Sequence, residues 1–224
     1  MSKKLSTPSS IISVGGRNSL LSRKQVEEVF NELEIAYEPI WMETMGDLDQ
    51  KQSLRTLDKT NFFTKELDEA LLAGKFRVAI HSAKDLPDPL PKGIEVVALT
   101  KGLDPSDALV LREGETLKEG MVIGTSSARR EESVGKLMGG LIFVDIRGTI
   151  RQRLDRLYEG KIDGVVVAEA ALIRLGLTSL NRVKLLGQTA PLQGRLVVLA
   201  RTGDEAMRTL FTPIHHEEYS LLGA

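Results

Sequence analysis

Residues 77–87 read Arg-Val-Ala-Ile-His-Ser-Ala-Lys-Asp-Leu-Pro. The run from Arg77 to His81 predicts a short buried strand; it ends in a polar cluster, and proline then prevents further regular structure. The same unit recurs on both sides of it. Upstream, Ile11 to Val14 reads as a strand stopped by Gly15-Gly16. A helix follows from about Ser19 to Leu33, with Val26, Val29, Phe30 and Leu33 on one face. Ala36 to Met42 is the next strand. Phe62 to Leu72 is predicted as a helix, with Phe63, Leu67, Ala70 and Leu71 at helical spacing and Gly74 as its stop.

Downstream, Ile94 to Leu99 is a strand, and the pattern then restarts. Met121 to Gly124 feeds a helix from about Ser127 to Leu137. Leu141 to Ile146 feeds a helix carrying Ile150, Leu154 and Leu157, and Gly164 to Ala168 feeds one ending at Gly176. Leu196 to Ala200 and Glu205 to Phe211 close the series as strand and helix. Strands alternating with helices imply an α/β fold with mainly parallel, helix-covered sheets. Two proline-containing segments, Leu103-Asp104-Pro105-Ser106 and Thr189-Ala190-Pro191-Leu192, bracket the second series. They predict an inserted domain at 105–191 and a first domain made of 1–104 with 192–224. A chain that crosses twice makes a hinge, and hinged α/β pairs bind ligands in the cleft between them.

Composition narrows the partner. The 224 residues carry 30 basic against 31 acidic side chains, a net charge of −1, so neither nucleic acid nor an anionic membrane is expected. There is no cysteine, which excludes disulfides, thiolate metal sites and a cysteine nucleophile within this sequence. Met1 to Val14 has no apolar stretch of signal-peptide length, and a cytoplasmic protein is expected.

Chemistry-bearing residues gather at the predicted strand ends, where ligands sit in open α/β sheets. Asp85 lies there beside Lys84; a carboxylate in that place can exchange protons, although a turn aspartate is the competing reading. In Gly124-Thr125-Ser126-Ser127-Ala128-Arg129-Arg130, Ser127 is placed to cap a helix whose first turn carries two arginines. Cations there oppose the helix dipole unless an anion lies nearby. Arg147 follows another strand, Arg153 lies off the apolar stripe of its helix, and Arg174 comes after a further strand end. Arginine's planar fork matches a carboxylate, so the set suggests a cleft for a polycarboxylate. Gly15-Gly16-Arg17-Asn18-Ser19 also precedes a helix but lacks the full dinucleotide-binding glycine pattern.

These blocks, in this order, resemble hydroxymethylbilane synthase (porphobilinogen deaminase) from Val14 to about Glu218. The most specific pieces are Ala79 to Pro87, Gly124 to Arg130, Arg147-Gly148 and Asp163 to Leu177. The resemblance implies a transferase of tetrapyrrole and haem biosynthesis with two periplasmic-binding-protein-like α/β domains. Such enzymes join four porphobilinogen units into hydroxymethylbilane and release ammonia. It implies Asp85 as the catalytic residue and Arg17, Ser19, Lys84, Ser127, Arg129, Arg130, Arg147, Arg153 and Arg174 as carboxylate-binding residues, with Lys59 and Gln25 as further candidates. It also implies a dipyrromethane cofactor and a monomer acting on porphobilinogen and oligopyrroles.

Three departures from the family pattern stand out. The sequence stops just after His215-His216-Glu217, which normally precedes the family's third domain, so that domain and its cofactor-anchoring cysteine are expected to be absent. Any cofactor is then held non-covalently or not at all. The family's Gly-Gly-Lys-Gly loop reads Asp58-Lys59-Thr60-Asn61, with Lys59 as the candidate substitute. Its Gly-Gln-Gly-Ala hinge reads Leu192-Gln193-Gly194-Arg195. A non-catalytic cleft protein for a pyrrole or another polycarboxylate is the alternative that the missing cysteine raises.

Overall fold

The computed structural model describes residues 11–48 and 61–216. It contains two five-stranded sheets. The first sheet runs β2-β1-β3-β10-β4, from Ile12–Arg17 (β1), Tyr37–Met42 (β2), Val78–Ser82 (β3), Ile94–Leu99 (β4) and Leu196–Arg201 (β10). The second runs β7-β6-β8-β5-β9, from Asp107–Leu111 (β5), Val122–Gly124 (β6), Ile142–Val144 (β7), Gly164–Ala168 (β8) and Arg182–Lys184 (β9). The chain passes to the second sheet between β4 and β5 and returns between β9 and β10, through the proline-containing segments.

The sheets are mixed rather than mainly parallel. In the first, β1 pairs β2 and β3 in parallel, while β10 lies antiparallel to both β3 and β4. The second repeats this design, with β6 parallel to β7 and β8, and β5 antiparallel to β8 and β9. In each sheet the strand that follows a crossing, β10 or β5, runs opposite to the other four. The sequence reading omitted β5 and β9.

Period-two alternation distributes side chains to two cores per sheet. Val165 and Val167 of β8 join Ala108 and Val110 on one face; Val166 joins Leu109 and Leu111 on the other. Helices complete these layers. Leu20–Glu32 (α1) contributes Val26, Val29 and Phe30, which pack with Met207 and Phe211 of Glu205–Phe211 (α7). Lys65–Leu72 (α3) buries Leu67 and Leu71 beneath the other face. Ala128–Gly135 (α4), Ile150–Tyr158 (α5) and Glu169–Arg174 (α6) supply Val134, Leu154 with Leu157, and Leu172 to the second sheet. The helix predicted from Phe62 is interrupted: a single 3-10 turn at Asn61–Phe63 precedes α3, with Thr64 between them. A short helix, Met45–Leu48 (α2), was also not anticipated.

The two crossings touch. Leu103 N donates to Gly194 O at 3.1 Å. Gly194 has φ +89, and a Cβ there would lie 2.6 Å from Leu103 O, so only glycine fits this contact. Leu192, standing where the resembled family has glycine, has φ +57. A non-glycine residue in the left-handed region costs about 1 kcal/mol or more. No helix among the described residues is long and apolar enough to cross a membrane.

Candidate functional site

β1 ends at Arg17, whose Nε donates to Asp47 Oδ2 at 3.2 Å while Nη2 pairs with Oδ1. Asp47 also accepts from the Thr44 amide and hydroxyl, at 3.1 and 2.8 Å. Burial pushes the Asp47 carboxyl upward, but these donors outweigh it and hold the carboxyl below its ordinary value. The Arg17 guanidinium lies 4.8 Å from the Phe63 ring centre. Ser19 caps α1, accepting from Ser22 N at 3.2 Å, so its hydroxyl has a structural task. Gln25, buried on α1, donates to Ser82 Oγ at 2.8 Å and docks the helix against the end of β3.

β3 leads into a 3-10 turn, Ala83–Asp85. Lys84 and Asp85 are both half-buried there. Lys84 Nζ donates to Gln193 Oε1 at 3.2 Å. Burial, followed by the repulsion of Arg130, pushes the Lys84 ammonium down to about 8; Asp85 and Asp107 oppose that fall, and Arg153 adds to it. His81, just upstream, is buried and pushed to about 4 by burial and then by Arg17, so it is neutral at physiological pH.

From the second sheet, Ser126 Oγ donates to Ile146 O at 2.7 Å and accepts from Ile146 N at 3.1 Å, joining the ends of β6 and β7. Ser127 stands at the N-cap of α4, but its side chain makes no capping hydrogen bond, contrary to expectation. Its amide instead donates to Thr125 Oγ1 at 3.3 Å. The anion that offsets the arginines in the first turn of α4 is internal. Asp107, at the start of β5 and 2% exposed, receives Arg129 Nη1 at 2.7 Å and Arg130 Nε and Nη2 at 3.0 and 2.7 Å. Burial raises the Asp107 carboxyl, yet the arginines outweigh it and hold it low.

Arg147 is buried and crosses toward the first sheet, where Nη2 donates to Gly46 O of α2 at 3.1 Å. Its guanidinium sits 5.7 Å from the Phe62 and Phe63 ring centres. Arg153 donates to Gly148 O at 2.8 Å, and no carboxylate pairs with it among the described residues. Gly148 has φ +104, which presents that carbonyl without strain. Burial and then Arg130, Arg147, Arg156 and Arg17 push the Arg153 guanidinium down to about 10. Four cations that each depress it occupy the same neighbourhood.

Arg174 departs from this group. Its Nε and Nη2 grip Glu28 of α1 at 2.7 and 2.8 Å, and Nη2 reaches Gly194 O at 2.9 Å. The fork expected for a ligand carboxylate therefore already holds one from the other sheet's helix layer. Lys59 lies outside the described residues. The structure thus gathers Arg17, Lys84, Arg130, Arg147 and Arg153 into one electrostatic neighbourhood beside Asp85. Sequence reasoning missed Asp107, Asp47 and Gln193. For Asp107 alone a local signal existed, an acid directly before an apolar run in a chain with two unexplained arginines.

The fold and this site define a two-sheet α/β protein with cations concentrated where the strand ends of both sheets meet. A solved structure titled the second substrate binding domain of a putative amino acid ABC transporter, from Streptococcus pneumoniae Canada MDR_19A, superposes with a TM-score of 0.50. It shares 11% identity and 91% of each chain is covered, a likeness of fold alone. The model of the family described as porphobilinogen deaminase, dipyromethane cofactor binding domain, matches residues 12–209. A probable porphobilinogen deaminase of Chlamydia pneumoniae is 37% identical, over 90% of this chain and 89% of that protein. One from Chlamydia trachomatis serovar D is 40% identical, over 88% and 85%. The porphobilinogen deaminase of Alkaliphilus metalliredigens is 37% identical, over 92% of this chain and 69% of its own. The chain belongs to the porphobilinogen deaminase family.

Proposed function

We propose that this chain joins porphobilinogen units head to tail into hydroxymethylbilane, the transferase step of tetrapyrrole and haem biosynthesis. The observation that carries the reading is Arg153, crowded by Arg130, Arg147, Arg156 and Arg17 and paired with no carboxylate among the described residues. A surplus of positive charge beside Asp85 suits a substrate whose pyrroles each bear two carboxylates. In each condensation the aminomethyl C–N bond breaks and ammonia departs. A C–C bond forms to the free pyrrole carbon of the growing chain, which then loses its proton. After four condensations the C–C bond that ties the new tetrapyrrole to the first pyrroles of the chain breaks, a proton returns to the carbon left behind, and water supplies the hydroxyl of hydroxymethylbilane. Asp85 holds and moves the proton at the pyrrole nitrogen, and its charge offsets the positive charge that develops on the ring. Arg147, Arg153 and Lys84 bind and orient the side-chain carboxylates, while Arg17 and Arg130, whose forks already hold Asp47 and Asp107, add their charge to the site; Ser127, with no cap to make, has a hydroxyl to offer. Ser19, Gln25 and Arg129 act from behind, by capping α1, docking it and completing the Asp107 pair.

The same donor set fits a dipyrromethane primer, which when bound supplies the first nucleophilic pyrrole carbon. These 224 residues contain no cysteine, and methionine sulfur has no proton to lose in forming a thioether. Within these residues, cations rather than a thioether are the groups that can retain the primer. Charge-assisted contacts contribute about 1.5–3 kcal/mol each before entropy losses.

We also infer that residues 1–104 with 192–224 and residues 105–191 move as two hinged bodies. The two crossings and the bridge between Arg174 and Glu28 support this. A cytoplasmic monomer working on small molecules is part of the same reading. The near balance of charge supports a partner other than nucleic acid. The missing cysteine favours a second reading, a binding protein for pyrrole carboxylates. Incubating the purified chain with porphobilinogen tests both: ammonia release with a product that oxidises to uroporphyrin is expected. Binding without ammonia release would select the second reading, and neither would end both.

A further inference from the structure

One buried network runs between the two sheets behind the cation cluster. Gln193, in the returning crossing, is 3% exposed. Its Nε2 donates to Asp107 Oδ1 at 2.9 Å and to Pro105 O at 2.7 Å, while its Oε1 accepts from Lys84 Nζ at 3.2 Å. Asp107 in turn holds Arg129 and Arg130. A lysine beside the catalytic candidate in the first sheet is thus joined, through one amide, to the arginine pair of the second. Asparagine or glutamine is the type of residue this place requires, since one end must accept from an ammonium and the other must donate to a carboxylate. Backbone contacts fix the amide in place. Gln193 N donates to Ala190 O at 3.1 Å, and its neighbour Gly194 is pressed against Leu103. Gln193 and Asp107 are buried and Lys84 half-buried, so loss of the amide leaves the Lys84 ammonium and the Asp107 carboxylate each short of a partner.

We propose that Gln193 is a positioning residue that sets the cations of the two cleft walls against each other: it fixes the Lys84 ammonium to the Asp107 carboxylate and, through it, to Arg129 and Arg130. This rests on the reading of the cleft as a carboxylate site, but the relay is a property of the chain without ligand. A change at Lys84 should therefore be felt at Arg130, and the reverse. The charged groups that bear on Lys84 are Asp85 on its own turn, Asp107 on β5, Arg130 on α4 and Arg153 on α5.

The test is the titration of Lys84 in the ligand-free chain, read by competitive acetylation with acetic anhydride and peptide mass spectrometry. Lys84 should titrate near 8 in the unaltered protein. Gln193→Met keeps the length of the side chain but removes both hydrogen-bonding ends. It should move the midpoint downward, raising Lys84 reactivity at pH 7 by about threefold or more, half a pK unit. Asp107→Asn, nearly isosteric, should move it the same way, and it carries the test should Gln193→Met not fold. A Lys84 titration unchanged in the folded variant overturns the relay. Porphobilinogen titrated into the unaltered protein in parallel separates the two ideas. No binding there, with a shifted Lys84, would remove the carboxylate cleft and leave the relay standing.

Discussion

Arg153→Met separates a ligand-binding arginine from a structural one, because the two roles predict opposite changes in stability. The guanidinium is pushed down from its ordinary value to about 10, by burial first and then by four other arginines. A cation whose folded-state pKa is depressed destabilises the fold at every pH at which it stays charged. That covers the whole range below about 10. At 1.36 kcal/mol per unit the penalty is about 3 kcal/mol, and solvent screening of a partly exposed group leaves about 1–2 kcal/mol. Against this stands the hydrogen bond to Gly148 O at 2.8 Å, worth about 1 kcal/mol or less once water replaces it. Methionine keeps the apolar stem, so packing beside α5 is preserved. The ligand-free variant should be as stable as its parent or more so, with Tm rising by up to about 4 °C. Its porphobilinogen affinity should fall about 10- to 100-fold, the loss of one charge-assisted pair. Thermal unfolding and isothermal titration calorimetry read the two quantities. A Tm several degrees lower with affinity unchanged would refute the reasoning and make Arg153 a structural residue.

Further outcomes follow from other groups. Lys84 is charged below about 8 and neutral above it, so porphobilinogen affinity should decline between pH 7 and 9. Lys84→Met should bind more weakly at pH 7 and show a flatter profile. Asp68 on α3 is pushed up to about 6, by burial first, with Thr64 opposing and Glu66 and Glu69 adding. Its raised pKa costs stability above about pH 6 and nothing below the unfolded value near 4. Asp68→Asn should therefore gain stability relative to the parent on passing from pH 4 to pH 7, by up to about 3 kcal/mol in chemical denaturation. Glu28→Gln weakens the grip on Arg174. It should increase hydrogen exchange around residues 192–196 while changing porphobilinogen affinity far less than Arg153→Met does. The intact mass of the purified, acid-denatured chain should show no added dipyrrole; a stable dipyrrole adduct would demand an attachment residue other than cysteine.

The strand-end positions of the candidate residues were legible because apolar runs of four to six residues followed by polar clusters mark parallel strands entering helices. Arg17, Asp85, Arg147 and the α4 arginines all lie where that pattern puts them. What the pattern does not encode is the partner of each charge. Asp47, Asp107 and Glu28 stand 30, 22 and 146 positions from the arginines they hold, and only the folded topology brings them together. Arg174 was read toward ligand for that reason. β5 was missed because Ala-Leu-Val-Leu is a short continuous apolar run without alternation. β9 was missed because Arg182-Val183-Lys184 is a polar edge strand defined by its pairing with β5. The mixed sheets follow from where the crossings enter, which hydropathy does not report.

The role of Asp85 is the centre of the proposed chemistry, and Asp85→Asn isolates it. Asparagine keeps the size of the side chain but carries no charge and moves no proton. Ammonia release from porphobilinogen, measured side by side for the two proteins together with porphobilinogen binding, is the direct test. The parent should release ammonia, and Asp85→Asn should lose about 100-fold or more of that rate while still binding. Equal rates in the two proteins would contradict the assignment and reduce Asp85 to a residue of the 3-10 turn.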